Sequence, residues 1–261
     1  MIHKVVSSRS RDKRAGEGTF GRGCVAAAGP LCGIPRGTQG VGTTEMMVDG
    51  DRAARGGQAR GLILAGLLAG LAGMVDAIGF LRLGHLFVSY MSGNSTQFAV
   101  ELGRGRVSEA GSILWLIALF VAGAAGGQMI AHFSGRRHLT CVLAAVAALL
   151  TAAAMLGTAP EPMVLAMGAL NASMHRAGNV AVSLTYVTGT LVKFGQGLGD
   201  FLTGRGTGWA WAEQALPWVG LIAGATAAGA GYLRLGTAVT WVPVAAASLL
   251  TLWSIAIPEP E

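Results

Sequence analysis

One carboxylate stands deep in apolar sequence. Asp76 lies in LILAGLLAGLAGMVDAIGFL, residues 62–81. A charge at the centre of a bilayer-spanning helix costs about 2.5–3.5 kcal/mol on insertion scales, so such residues face the bundle interior and mark ion paths or proton relays. A desolvated carboxyl there suits a proton carrier. The competing reading makes Asp76 a buried partner for an arginine or a backbone donor. A second group follows: Ser92, Gly93 and Asn94, then Ser95 and Thr96. Gly93 permits a broken backbone, and freed peptide groups beside hydroxyls suit a cation or a polar solute. The plainer alternative is hydroxyls bonded back to their own helix. Thr185, Thr188, Gly189 and Thr190 repeat the pattern later, with Asn171 ahead of them. Lys193 is the only lysine of the apolar body, and Asp200 lies seven residues further on. It is placed either to pair with Asp76 or to snorkel to a headgroup.

Other chemistries lack their residues. There is no phosphate loop, no HExxH and no paired carboxylates at catalytic spacing, so no enzyme is expected. Cys24, Cys32 and Cys141 match no zinc spacing, and neither a metal nor a cofactor is expected. More than half of the 19 Lys and Arg fall in residues 1–60. No aromatic-interleaved basic module accompanies them, so nucleic acid is not an expected partner.

The elements that position these residues are membrane helices. Only 12% of the chain is charged, and its mean hydropathy is +0.54. Soluble domains carry roughly 25% charged residues, enough to cover a globule in water. Apolar runs lie at 62–81, 86–101, 112–131, 139–157, 162–174, 180–202, 216–233 and 238–257. A span needs about 20 apolar residues. Runs 62–81, 112–131, 139–157, 216–233 and 238–257 meet that need, whereas 86–101 and 162–174 are short and 180–202 is rich in Thr and Gly. The reading is an all-α polytopic bundle of six to eight membrane segments, residues 58–261, behind a disordered basic tail at 1–57.

The bundle carries an internal repeat. Gly73-Met74-Val75-Asp76-Ala77 matches Gly168-Ala169-Leu170-Asn171-Ala172, and SYMSGNSTQF (89–98) matches TYVTGTLVKF (185–194). The halves are about 62–157 and 162–257. These runs resemble the two signatures of the YoaK family, a bacterial membrane family also known as domain of unknown function 1275. The first signature is carried by Gly73, Asp76, Ala77, Phe87 and Met91-Ser92-Gly93-Asn94. The second is carried by Met167–Ala172 and Thr185–Leu191. Ser92 stands where the family usually has Thr, and Ala169 where it commonly has Gln. The resemblance implies an inner-membrane, multi-pass protein and supplies no substrate.

Repeats of this kind build transporters, with sites on discontinuous helices at the repeat interface. The expected activity is therefore small-solute transport, with the lipid bilayer and an unknown solute or ion as partners. The rival is a scaffold, sensor or partner subunit. A pathway places Asp76 and Asn94 on a wet cavity, whereas a scaffold closes them in polar contacts. Six full spans with re-entrant short segments make an inverted repeat, and eight make a parallel one. Arg136, Arg137 and Arg176 outweigh Arg104 and Arg106 for six, with a cytoplasmic N-terminus.

Overall fold

The computed structural model describes residues 42–157, 159–173, 187–206, 208 and 211–256. Among these residues there are eight α-helices and no strand. They are α1 (Gly42–Arg82), α2 (Met91–Gly103), α3 (Val107–Phe133), α4 (His138–Met155), α5 (Pro160–Ser173), α6 (Val187–Leu202), α7 (Leu216–Leu235) and α8 (Trp241–Ala256). In lipid a helix satisfies its own backbone, which is why an apolar chain of this composition takes this form. Among the described residues four stretches are long and apolar enough to cross a membrane: Gly61–Arg82, Val107–Phe133, Gly135–Met155 and Ala212–Ala256. The last holds both α7 and α8, so these stretches cover the five long runs read from the sequence. The three other runs become α2, α5 and α6, of 13, 14 and 16 residues. At 1.5 Å per residue they reach only about 20–24 Å, short of the roughly 30 Å hydrocarbon core.

Glu45–Glu261 forms one compact unit. The segment expected as a disordered tail is helical from Gly42. Its lack of apolar periodicity suggested disorder, but Glu45, Met46, Met47, Ala53, Ala54 and Arg55 are fair helix formers with no proline among them. Residues 1–41, with Cys24 and Cys32, lie outside the described part.

Helix directions follow from contacts. Gly66 meets Leu216, Gly70 meets Gly220, and Gly73 meets Leu221 and Ala225, so α1 and α7 run parallel. Gly123 meets Leu165, Gly127 meets Ala169, and Gly168 meets Phe120 and Ala124, so α3 and α5 also run parallel. At both crossings a Cβ on the central glycines would overlap a facing backbone carbonyl, which is the close approach that small residues allow in membranes. α4 packs along α8. The hydroxyl of Thr140, near the start of α4, lies 3.0 Å from that of Ser254, near the end of α8, so this pair is antiparallel.

Arg82, closing α1, donates to the Gly157 carbonyl in the α4–α5 turn at 3.4 Å. The end of α1 and the start of α5 therefore share one end of the bundle. The start of α3 is there too, beside Leu83 and Glu161. At the other end the apolar stretch of α1, which begins at Gly61, meets the start of α7. Thus α1, α4 and α7 run one way, and α3, α5 and α8 run the other. The half containing α1–α4 is up-down-up and the half containing α5–α8 is down-up-down, leaving aside α2 and α6.

Local geometry repeats with the same order. Gly135 and Gly236 both have φ of +55°, and each opens a 3-10 turn leading into the next helix. After α2, Gly105 N–H donates to Leu102 and Arg106 N–H to Glu101; after α6, Gly204 N–H donates to Phe201 and Arg205 N–H to Asp200. The matching sequences ELGRGR (101–106) and DFLTGR (200–205) are a third repeat signal beyond the two read above.

The core lies under α1, α4 and α5. Leu68, Leu71, Val75 and Ile78 of α1, Val142, Leu143 and Val146 of α4, and Val164, Met167 and Leu170 of α5 are fully enclosed. Over its apolar window α1 is 56% buried and α3 only 22%. α1 thus lies deeper in the bundle than α3, which turns Leu114, Val121, Met129 and Phe133 outward. The crossings imply a test. Gly224→Val forces the α1 backbone away and is expected to cost about 1–3 kcal/mol, typical of overpacking. Gly126→Ala, with open space around its added carbon, is expected to leave stability unchanged. Unfolding midpoints in detergent compare the two, and equal midpoints would refute the assigned crossing.

Candidate functional site

After Arg82 the chain does not leave the bundle end. It folds back along α1, as the contacts of residues 83–90 show, and α2 then returns toward the start of α3. Gly79 makes the return possible: a Cβ there would overlap the side chain of Val88. Asp76 lies six residues before Arg82, about 9 Å along the axis at 1.5 Å per residue. The loop reaches that depth without secondary structure of its own, so its peptide groups need partners from side chains.

Asp76 supplies them. Its Oδ1 accepts the backbone N–H of Val88 at 2.8 Å and of Ser89 at 2.7 Å. The Ser89 hydroxyl donates to Oδ2. Asn94, fully buried, pairs with the Phe87 peptide in both directions. The Phe87 N–H donates to Asn94 Oδ1 at 3.0 Å, and Nδ2 donates to the Phe87 carbonyl at 2.6 Å. Gln97 Nε2 donates to the His85 carbonyl at 3.2 Å. Around them the Phe87 ring packs against Phe80 at 5.2 Å and Tyr90 at 5.5 Å. Gly84 and His85 turn the chain with φ of +63° and +71°. A left-handed histidine is strained, and such a residue persists where its surroundings fix it. The three side chains Asp76, Asn94 and Gln97 do so.

The sequence-expected residues therefore separate into groups. Asp76 and Asn94 converge on one loop, in closed polar contacts. Ser92 is exposed on the first turn of α2, and Thr96 Oγ1 donates to its carbonyl at 3.1 Å. Ser95 Oγ donates to the Met91 carbonyl at 2.8 Å. Gly93 sits under the Tyr90 ring, with no room for a side chain. In the second half Asn171 is buried and donates to the Met167 carbonyl at 3.0 Å. Thr190 is buried and donates to Val187 at 2.8 Å. Thr188 is exposed and Gly189 half-buried. Lys193 is exposed, and no ion pair joins it to Asp76. Thr185, Tyr186, His175 and Arg176 lie outside the described residues. Most of the described hydroxyls are thus bonded back to their own helix, the plainer of the two readings. Among the described residues no three His, Cys, Asp or Glu side chains gather as a metal site.

Ser89, Gly79 and Gln97 were not singled out in the sequence. Ser89 was visible as the first hydroxyl of SYMSG. Gly79 repeats the three-residue step from Gly73 and Asp76, which puts it on the neighbouring face of one helix.

A family of proteins of unknown function, DUF1275, matches residues 64–253. The chain belongs to the DUF1275 family. The resemblance carried by Gly73, Asp76 and Ser92–Asn94 is thereby membership. A UPF0700 transmembrane protein of Rhizobium meliloti strain 1021 is 41% identical over 204 residues, covering 76% of this chain and 88% of that protein. No solved structure matches. With its long apolar helices, this DUF1275 chain is an integral membrane protein.

The clamp predicts an asymmetry between two substitutions. Asp76→Ala leaves two N–H groups and a hydroxyl without acceptors, at about 1–3 kcal/mol for each buried group. Asp76→Asn keeps a carbonyl oxygen for both N–H groups and is expected to lose far less. Thermal unfolding of the purified protein reads the difference. An Ala variant as stable as the native chain would rule out the clamp.

Proposed function

We propose that this protein is a small-solute permease of the bacterial inner membrane, with the two halves of the bundle as its inverted repeats. The observation that supports this most is the path of residues 83–103: a loop that turns back beside α1 and a half-length helix that returns to the same end. Half-helices whose first turns sit within the bundle, in halves of opposite direction, are how secondary transporters hold solutes near the bilayer midplane. We read α1, α3, α4, α7 and α8 as crossings and α5, although short by its helix length, as the sixth because it runs along α3 through the contacts at Gly123 and Gly127, with α2 and α6 re-entrant. The N-terminus is cytoplasmic in this reading, because Arg136 and Arg137 then face inward with the basic stretch before α1.

In this reading Asp76 and Asn94 position the half-helix and do not line the path. The residues left for the path are the exposed ones at the first turns, Ser92 on α2 and Thr188 on α6. We read the protein as non-enzymatic, on the sequence's lack of a phosphate loop, HExxH or paired carboxylates at catalytic spacing.

The clamp also favours a second reading, a non-transporting scaffold or partner subunit. Closed polar contacts around Asp76 and Asn94 are what a purely structural core would show.

Water access separates the two. In a chain with Cys24, Cys32 and Cys141 replaced by Ser, single cysteines at Ser92 and at Thr188 are expected to react with a small water-soluble methanethiosulfonate. If neither reacts from either side of the membrane, no aqueous path reaches the half-helices and the scaffold reading stands. Orientation is checked in intact cells in the same background: Gly105→Cys is expected to label from outside and Gly135→Cys is not, and the opposite pattern would reverse the assigned topology.

A further inference from the structure

Each end of the bundle carries an apolar wedge between two parallel helices. At one end the wedge lies between α3 and α5 beside the loop after α1, with a volume of about 580 Å³. Its walls include Leu86, Trp115 and Leu116, with Ser108, Ser112 and Glu161 as polar groups. Small-molecule sites fall at about 300–1,000 Å³ and combine apolar walls with a few fixed polar groups. Glu161 is the sole charged residue of this lining. It is half-buried, and no ion pair or side-chain hydrogen bond engages it. The arginine that closes α1, Arg82, instead points a donor at the Gly157 carbonyl.

The other end repeats the arrangement between α1 and α7, the partner crossing in the inverted repeat. That wedge, of about 270 Å³, is lined by Leu62, Ile63, Leu216 and Val219, and among the described residues its charged group is again a carboxylate, the exposed Glu213. The two carboxylates come from different helices of their crossings, one from α5 and one from the 3-10 turn before α7. The same chemistry therefore arises twice from unlike sequence positions: an apolar concavity with one negative charge.

We propose that these wedges are vestibules for a hydrophobic monovalent cation, an organic amine or a quaternary onium ion, with Glu161 as the charge partner in the larger one. The proposal rests on the permease reading and names its substrate class. Apolar walls select the hydrocarbon body of such a solute. The half-buried carboxylate compensates its charge, and Trp115 in the same lining offers a cation–π contact. Anions are excluded by the unpaired carboxylate. Inorganic cations fare poorly, because one carboxylate and two serines replace little of their hydration shell.

Binding at equilibrium tests this without relying on transport. The full chain in nanodiscs of zwitterionic lipid is titrated with radiolabelled tetraphenylphosphonium, and empty discs are subtracted. Saturable binding is expected. Glu161→Gln is expected to weaken it at least tenfold, with partial recovery in Glu161→Asp. Glu109→Gln, a charge change at the same end but outside the lining, is expected to leave it within twofold. Uncharged triphenylphosphine oxide is expected not to compete. Equal binding by Glu161→Gln and the native chain, or equal competition by the neutral compound, overturns the proposal and marks the wedge as a lipid groove. Charge-selective binding without cation flux into proteoliposomes supports the vestibule and sinks the permease reading. Flux of another solute with no cation binding does the reverse.

Discussion

A single carboxylate holds irregular backbone inside an apolar bundle, and much of the architecture depends on it. Peptide groups away from water need partners, and a loop without helix or sheet cannot provide them itself. Asp76 answers with two lone pairs directed at consecutive N–H groups and a third contact to the Ser89 hydroxyl. Asn94 and Gln97 complete the set from α2. Because the loop is tied at that depth, α2 starts within the bundle and returns to the end it came from. Without the tie, the chain between α1 and α3 would have no reason to leave the surface. The cost of burying Asp76 in an apolar helix is reduced by the hydrogen bonds it accepts from Val88 and Ser89.

The second constraint is steric. Lipid supplies no hydrophobic drive between helices, so association depends on close packing. The α1–α7 and α3–α5 crossings achieve it with glycines that place backbone against backbone. Each crossing joins one half of the chain to the other, so neither half is a separate body. The halves are alike in these contacts and in the turns at Gly135 and Gly236, but they differ at the clamp. Asn171 occupies the position of Asp76, and Thr190 that of Asn94, with Thr190 turned onto its own helix. The ionisable group belongs to one half alone. In a protein that alternates between two states, such inequality biases one of them.

Family membership settles the membrane character and leaves the activity to be argued from the site. The geometry divides that argument in an instructive way. The overall path of the chain favours transport, whereas the two most conspicuous polar side chains serve the fold. A conspicuous intramembrane charge is an invitation to propose a proton path. Here its partners are backbone donors of a neighbouring loop, which gives it a positioning role.

Composition and the lengths of apolar runs determined that this is a helical membrane protein, because a bilayer leaves a chain few other ways to satisfy its backbone. Repeated motifs around Asp76 and Asn171 determined that it has two related halves, since those residues recur in the same order. Asp76 and Asn94 were also legible as a site, being polar groups too costly to stand in apolar sequence without purpose. Most of their partners were not, because Phe87, Val88 and the Ser89 N–H make contact through backbone atoms that any residue carries. Glycine content announced close packing but not which helices meet, since one glycine can face any neighbour. The direction of each helix, the return of α2 and the pairing of α1 with α7 were decided only by tertiary structure. Short apolar runs are compatible with either a tilted crossing or a half-helix, and contacts far apart in the chain choose between them.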